Sequence, residues 1–127
     1  MNYDYKNCTT YVQRWLTAVC SHNLNDVMEK YSKNGILIGT LAKTLLIGKP
    51  AIRTYFADFL RKPQLCGEIN SSAVQVLSPS AFIVSGIYTF AYKEGSNPVM
   101  VPARFSFVFI LEDGHWKIAN HHSSKVP

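Results

Sequence analysis

The sequence predicts an α+β fold, a cone-shaped, strongly curved antiparallel sheet wrapped around three N-terminal helices, and three observations carry that prediction. Apolar residues recur at helical spacing as far as Pro63 and at every second position beyond it. The later segments are long and separated by short clusters of Gly, Pro, Ser and Asn, as in an antiparallel meander. Helices precede strands instead of alternating with them, which is the order of helices packed on one face of a sheet.

The first helix is read from Tyr5 to Cys20, where Cys8, Val12, Trp15, Leu16 and Val19 make one apolar stripe. A second, shorter helix is read from Leu24 to Tyr31, with Leu24, Val27, Met28 and Tyr31 on one side. Asn23 is its N-cap, Asp26 sits at the positive end of its dipole, and Asn34-Gly35 is its stop. Ile36 to Thr40 and Thr44 to Ile47 follow as a small hairpin of branched residues closed by Gly48. The third helix starts at Pro50, carries Ile52, Tyr55, Phe56, Phe59 and Leu60 on one face, and ends at Pro63. Four strands complete the chain: Glu68 to Leu77, Ala81 to Tyr92, Val99 to Leu111 and Trp116 to Ser123.

The central strands are apolar on both faces. Phe82, Val84, Tyr88 and Phe90 alternate with Ile83, Ile87 and Ala91, and Phe105, Phe107 and Phe109 alternate with Val108 and Ile110. One set faces the helices. The other needs a cover, and a second copy of the chain is the economical one, so a homodimer or larger homo-oligomer is expected.

Composition narrows the function classes. A chain of 127 residues with 47% apolar content fits one domain over residues 1–127 with a single core. Its net charge of +5 comes from singly scattered residues such as Lys30, Lys49, Arg53, Lys93 and Lys125, not from a basic face interleaved with aromatics, so no nucleic acid is expected. No apolar stretch approaches a bilayer span and Met1-Asn2-Tyr3-Asp4-Tyr5 shows no charged lead-in to an apolar run, so no membrane partner and a cytoplasmic location are expected. Cys8, Cys20 and Cys66 are odd in number and lack metal-ligand spacing; they read as buried free thiols.

The ending Asp113-Gly114-His115-Trp116-Lys117-Ile118-Ala119-Asn120-His121-His122-Ser123-Ser124-Lys125-Val126-Pro127 resembles the last strand of the association (hub) domain of calcium/calmodulin-dependent protein kinase II and of small SnoaL-like bacterial relatives. Both groups belong to the superfamily of nuclear transport factor two and ketosteroid isomerase. Leu24-Asn25-Asp26-Val27, Gly48-Lys49-Pro50-Ala51-Ile52 and Ala103-Arg104-Phe105-Ser106-Phe107-Val108 resemble the same group in the same order, so the resemblance spans nearly the whole chain. It implies a cystatin-like α+β barrel with a pocket at its open end and an outer face that dimerises. In the kinase hub the pocket carries arginines; the resemblance sets Tyr88, Phe107 and Ser123 at those positions. An aromatic pocket with a few hydroxyls is therefore expected in place of a cationic one.

The residues expected to line it are Trp15, Tyr55, Phe59, Tyr88, Phe90, Phe105, Phe107, His121 and Ser123, and its occupant is a small apolar or weakly polar molecule. Tyr88 and His121 are the catalytic candidates, one as an oxyanion donor and the other as acid or base, against the plainer reading of His121 as a buried histidine bonded to backbone or hydroxyl. An isomerase of this superfamily needs a carboxylate facing the cavity, and the acidic residues fall at helix starts, turns and a strand beginning. His121 and His122 point to opposite faces of a strand and cannot share an ion, so no metal site is expected. Arg104 lies by alternation on the face opposite Phe105 and Phe107, at the expected subunit interface with Glu68 as a carboxylate partner; one bulge would turn it into the pocket to anchor an anion. No serine elbow, phosphate loop, dinucleotide fingerprint or CxxC is present, so no cofactor is expected. The functions left standing are a ligand-binding domain, an assembly hub without chemistry, and a small isomerase, cyclase or dehydratase.

Overall fold

A computed structural model describes residues 5–127; the first four residues, part of the stretch read above as lacking a leader, lie outside the described residues. Among the described residues the order is α1 (Tyr5–Cys20), α2 (Leu24–Glu29), β1 (Tyr31–Ile38), β2 (Leu46–Ile47), α3 (Lys49–Phe59), β3 (Cys66–Ser78), β4 (Ala81–Glu94), β5 (Asn97–Glu112) and β6 (His115–Lys125). The strands form one sheet in the order β2-β1-β6-β5-β4-β3. Its neighbours pair antiparallel except β1 and β6, which run parallel.

The helices fill the concave face. Val12, Trp15, Leu16 and Val19 of α1 are almost fully buried, as are Ile52 and Phe56 of α3, against Phe82, Val84, Tyr88, Phe107 and Ile118 of the sheet. The backbone N–H of Asp26 donates to the Asn23 side chain at 3.0 Å, the N-cap expected of α2. That helix nevertheless ends at Glu29, with Lys30 as its C-cap, rather than at Tyr31. Tyr31 opens β1 instead, opposite Ile118 of β6, and the backbone N–H of Ile118 donates to the Lys30 carbonyl at 2.8 Å. Pairing with β6 overrides the helical period, and Asn34-Gly35 falls inside the register shift of β1 instead of stopping a helix. The hairpin partner shrinks to Leu46–Ile47.

Bulges bend the sheet. One lies between Ile69 and Ser71 of β3, where a Cβ on Gly86 of β4 would sit 2.0 Å from the Ser71 carbonyl oxygen, so only glycine admits the approach. Another lies in β6, where Phe109 faces Ile118 and Val108 faces Asn120, leaving Ala119 as the extra residue. The bulge changes the alternation of β6 so that Ile118, His121 and Ser123 all face inward. β5 keeps its alternation, and Arg104 stays on the outer face.

The cysteine expectation is corrected. Cys20 and Cys66 form a disulfide across a sequence separation of 46, and Cys8 is buried outside that bond. The bond joins the end of α1 to the start of β3, where the Gly67 N–H donates to Cys20 Sγ at 3.3 Å and His22 Nε2 donates to the Leu65 carbonyl at 2.8 Å. Spacing could not find this pair because topology, not sequence distance, brings the two ends together. No helix among the described residues is long and apolar enough to cross a membrane.

Candidate functional site

The open end of the cone encloses a small aromatic cavity. Trp15 comes from α1, Leu37, Gly39 and Thr40 from β1 and the turn after it, Tyr55, Phe56 and Phe59 from α3, Tyr88 and Phe90 from β4, and His121 and Ser123 from β6. Seven of the nine expected lining residues meet here. The other two, Phe105 and Phe107, stand one layer back: Phe105 stacks on Tyr88 at 4.5 Å between ring centroids and Phe107 on His121 at 3.9 Å. Their side chains complete the wall behind the polar groups instead of facing the cavity.

The space is about 10 Å³, room for about one water molecule. What closes it is Tyr55. Its ring lies over Gly39, where a Cβ would meet the ring carbon Cζ at 2.7 Å, and stacks on Phe59 at 5.7 Å. Its hydroxyl accepts from the Leu41 N–H at 3.5 Å, a long bond in an exposed turn.

The polar atoms of the site form one connected chain. Trp15 Nε1 donates to Tyr31 Oη at 3.2 Å, Tyr31 Oη lies 2.8 Å from His121 Nδ1, His121 Nε2 lies 3.1 Å from Tyr88 Oη, and Tyr88 Oη donates to Ser123 Oγ at 2.6 Å. Ser123 Oγ bonds in turn to Thr40 Oγ1. Because Tyr88 gives its only proton to Ser123, its oxygen receives the proton on Nε2, and this pattern assigns His121 as the Nε2–H tautomer with Nδ1 accepting from Tyr31. No buried side-chain nitrogen or oxygen among the described residues is left without a partner.

Every link is neutral. Burial, with His122 adding to it, pushes the His121 pKa down to about 3, and burial raises the Tyr31 and Tyr88 hydroxyls well above the usual tyrosine range. Tyr88 and His121 thus converge on each other, both histidine nitrogens are engaged, and no carboxylate lines the cavity. The arrangement can bind and orient; it presents no base to a substrate.

Tyr31 and Thr40 are the members of the chain that sequence reasoning missed. Tyr31 continued the apolar side of the preceding helix, and the usable signal was the pair Lys30-Tyr31, a helix-ending cation followed by a β-favouring aromatic. Thr40, read above as the end of a strand, stands in the turn after β1, beyond the reach of strand alternation.

Outside the cone, Arg104 is exposed and its Nη2 donates to Ser124 Oγ at 3.2 Å, beside Ile87 of β4. A cleft of about 230 Å³ at the far end is lined by Tyr11, Arg14, Lys30, Trp116 and Lys117, among others. Its cations are engaged: Lys30 with Asp26 at 3.0 Å, Lys117 with the Glu29 carbonyl at 2.6 Å, and Arg14 over the Tyr11 ring at 5.0 Å. No group of three or more His, Cys, Asp or Glu among the described residues is placed to hold a metal ion, and His122 points away from His121.

The model of the SnoaL-like domain family matches residues 9–127. A Xanthomonas campestris protein assigned as a calcium/calmodulin-dependent protein kinase II association domain is 30% identical, with 99% of this chain and 90% of that one covered at a TM-score of 0.92. The association domain of the Caenorhabditis elegans kinase is 18% identical over 94% of each chain at 0.81. A ketosteroid isomerase-like protein from Erwinia carotovora is 17% identical, with 100% of this chain and 99% of that one covered at 0.80. The latter two likenesses establish the fold alone. No curated protein matches the chain.

Proposed function

The chain belongs to the SnoaL-like domain family, and from that premise we propose that it is a binding domain for a small, uncharged, largely apolar molecule held at the open end of the cone. The observation that carries this reading is a cavity walled by Trp15, Tyr55, Phe56, Phe59, Tyr88 and Phe90 whose polar groups are all neutral. Aromatic walls supply affinity and the few polar atoms orientation. An anion would enter a site with no lining cation and lose its hydration without replacement.

The cavity must open for this. Tyr55 is its lid, resting on a glycine and tied by one long hydrogen bond, so displacing it exposes the aromatic wall at small cost. A small isomerase, cyclase or dehydratase is less well supported, because no carboxylate lines the site and His121 has no free nitrogen to act with.

A thermal-shift panel of neutral aromatic ketones and esters beside carboxylic acids of the same size tests the proposal. Neutral compounds should raise the unfolding midpoint, by about 2.7 kcal/mol of stability for a ligand present at a hundred times its Kd. Stabilisation by the acids alone, or by nothing, overturns it.

The outer sheet face favours self-association as a second property. Ile83, Ile87, Val108 and Ile110 are only partly covered there, between Leu77 at 59% and Met100 at 68% exposure. Arg104 and Glu68 share this face, so opposite charges are available to a second copy. Light scattering should give at least a dimer, reduced to a monomer by Val108→Glu.

A further inference from the structure

The Cys20–Cys66 disulfide lies outside the ligand cavity, and its two sulfurs are unequal. Cys66 is the first residue of β3, the edge strand of the sheet, and is exposed; Cys20 ends α1 and is half-buried. A thiol arriving from solution meets Cys66 first, and access helps to decide which sulfur of a disulfide is attacked. The leaving side is prepared as well. The Gly67 N–H donates to Cys20 Sγ at 3.3 Å, a bond that strengthens as that sulfur takes on charge. The Gly67 carbonyl oxygen does not separate the two sulfurs, lying 3.7 Å from Cys20 Sγ and 3.8 Å from Cys66 Sγ. A helix C-terminus disfavours an anion, but the Thr17, Ala18 and Val19 carbonyls at the end of α1 already accept from the backbone N–H groups of Ser21, Asn23 and His22.

More than the covalent bond holds the two cysteines together. A Cβ on Gly67 would sit 2.9 Å from Leu16 Cδ2 of α1 and 2.9 Å from Phe90 Cδ1 of β4, so helix and sheet meet closely beside the disulfide. His22 Nε2 donates to the Leu65 carbonyl at 2.8 Å, and Leu16, Val19 and Leu65 are buried. Opening the bond therefore leaves both thiols in place to close it again. We propose that Cys20–Cys66 is a thiol–disulfide exchange site for a low-molecular-weight thiol, with Cys66 the sulfur that is thiolated and Cys20 the leaving and resolving sulfur. The incoming thiolate RS⁻ attacks Cys66 Sγ; the R–S–S–Cys66 bond forms as the Cys66–Cys20 bond breaks, and the electron pair leaves on Cys20 Sγ. In the reverse step Cys20 attacks Cys66 Sγ and expels RS⁻. A second RS⁻ attacking the sulfur of R releases RSSR, so the two electrons that reduce the pair come from two thiols, and the two cysteine thiolates take their protons from water.

Glutathione is the probe. The folded protein is treated with reduced glutathione, quenched with acidic N-ethylmaleimide and mapped by peptide mass spectrometry. At least about tenfold more glutathione should be found on Cys66 than on Cys20, with maleimide on Cys20. In Cys20→Ser, glutathione disulfide should leave a lasting adduct on Cys66, whereas reduced wild type given the same reagent should lose its adduct as Cys20 closes the bond. Far-ultraviolet circular dichroism of reduced wild type should keep the folded signal. Adducts shared equally or found on Cys20 overturn the assignment, as does an adduct on Cys66 that wild type keeps as long as Cys20→Ser does. A bond that opens only after unfolding in urea, or a chain that loses its fold on reduction, makes the disulfide a structural brace and overturns the exchange site. None of these outcomes bears on the ligand cavity, so the binding domain stands or falls separately.

Discussion

The concave face of the sheet carries two aromatic layers built from similar residues that do different things. Toward the far end, Phe82 stacks on Phe109 at 4.9 Å between ring centroids and meets Trp116 edge-on at 4.8 Å, with Tyr11 tilted above them at about 6 Å. Toward the mouth, Trp15, Tyr31, Tyr88 and His121 pack at comparable distances, yet each carries a polar atom that is bonded to the next. The far layer is stabilised by ring burial and ring-to-ring geometry. The mouth layer adds a set of buried polar groups that tolerate one protonation state and one direction. Packing needs only the first arrangement; the second is what a site for orienting a ligand requires.

Acid should separate the two layers most strongly. His121 is neutral when folded, with a pKa pushed down to about 3, whereas an unfolded histidine titrates near 6.5. Between those values the unfolded chain binds more protons, so stability is full above about pH 6.5 and falls as pH drops toward 3, by at most about 1.4 kcal/mol per unit and about 5 kcal/mol in all. Glu112, held below the ordinary carboxylate range chiefly by the Ser32 hydroxyl, adds its own loss at the acid end of the same scan. Urea midpoints across this range should show the slope in wild type and a much flatter one in His121→Gln. Equal slopes in both would remove the histidine from the account.

Substitution should separate them next. Phe82→Ala leaves a cavity in the far layer and should cost about 3–5 kcal/mol. Tyr88→Phe keeps the ring, removes one oxygen and strands the Nε2 proton of His121, for about 1–3 kcal/mol. Chemical denaturation measures both. The sharper distinction is in the spectrum: Tyr88→Phe should alter the His121 ring resonances, and a far-layer substitution should not. If both variants disturb His121 alike, the two layers are one core.

The far layer was largely legible in the sequence, because alternation that places Phe82 and Phe109 inward needs only the period of a strand. The helices were legible for the same reason; Asn23 caps α2 as expected, and Pro50 falls in the first turn of α3, which starts one residue earlier at Lys49. The mouth layer was legible as aromatic but not as a chain. His121 and Ser123 could be placed inward, yet Tyr31 and Thr40 enter through a parallel β1–β6 pairing that joins residues far apart in sequence. No local pattern encodes such a pairing. The disulfide between Cys20 and Cys66 escaped for the same reason. The cavity's small size escaped as well, since the way Tyr55 folds over Gly39 depends on how α3 lies against the end of β1.

The central claim is that a neutral molecule enters the mouth layer behind Tyr55, and mapping amide and ring chemical shifts during an acetophenone titration tests it most directly. The account predicts saturable changes at Thr40, Tyr55, His121 and Ser123, with Phe82 and Trp116 unmoved. Changes centred on the outer face around Arg104 and Val108, or none at saturating acetophenone, would contradict it.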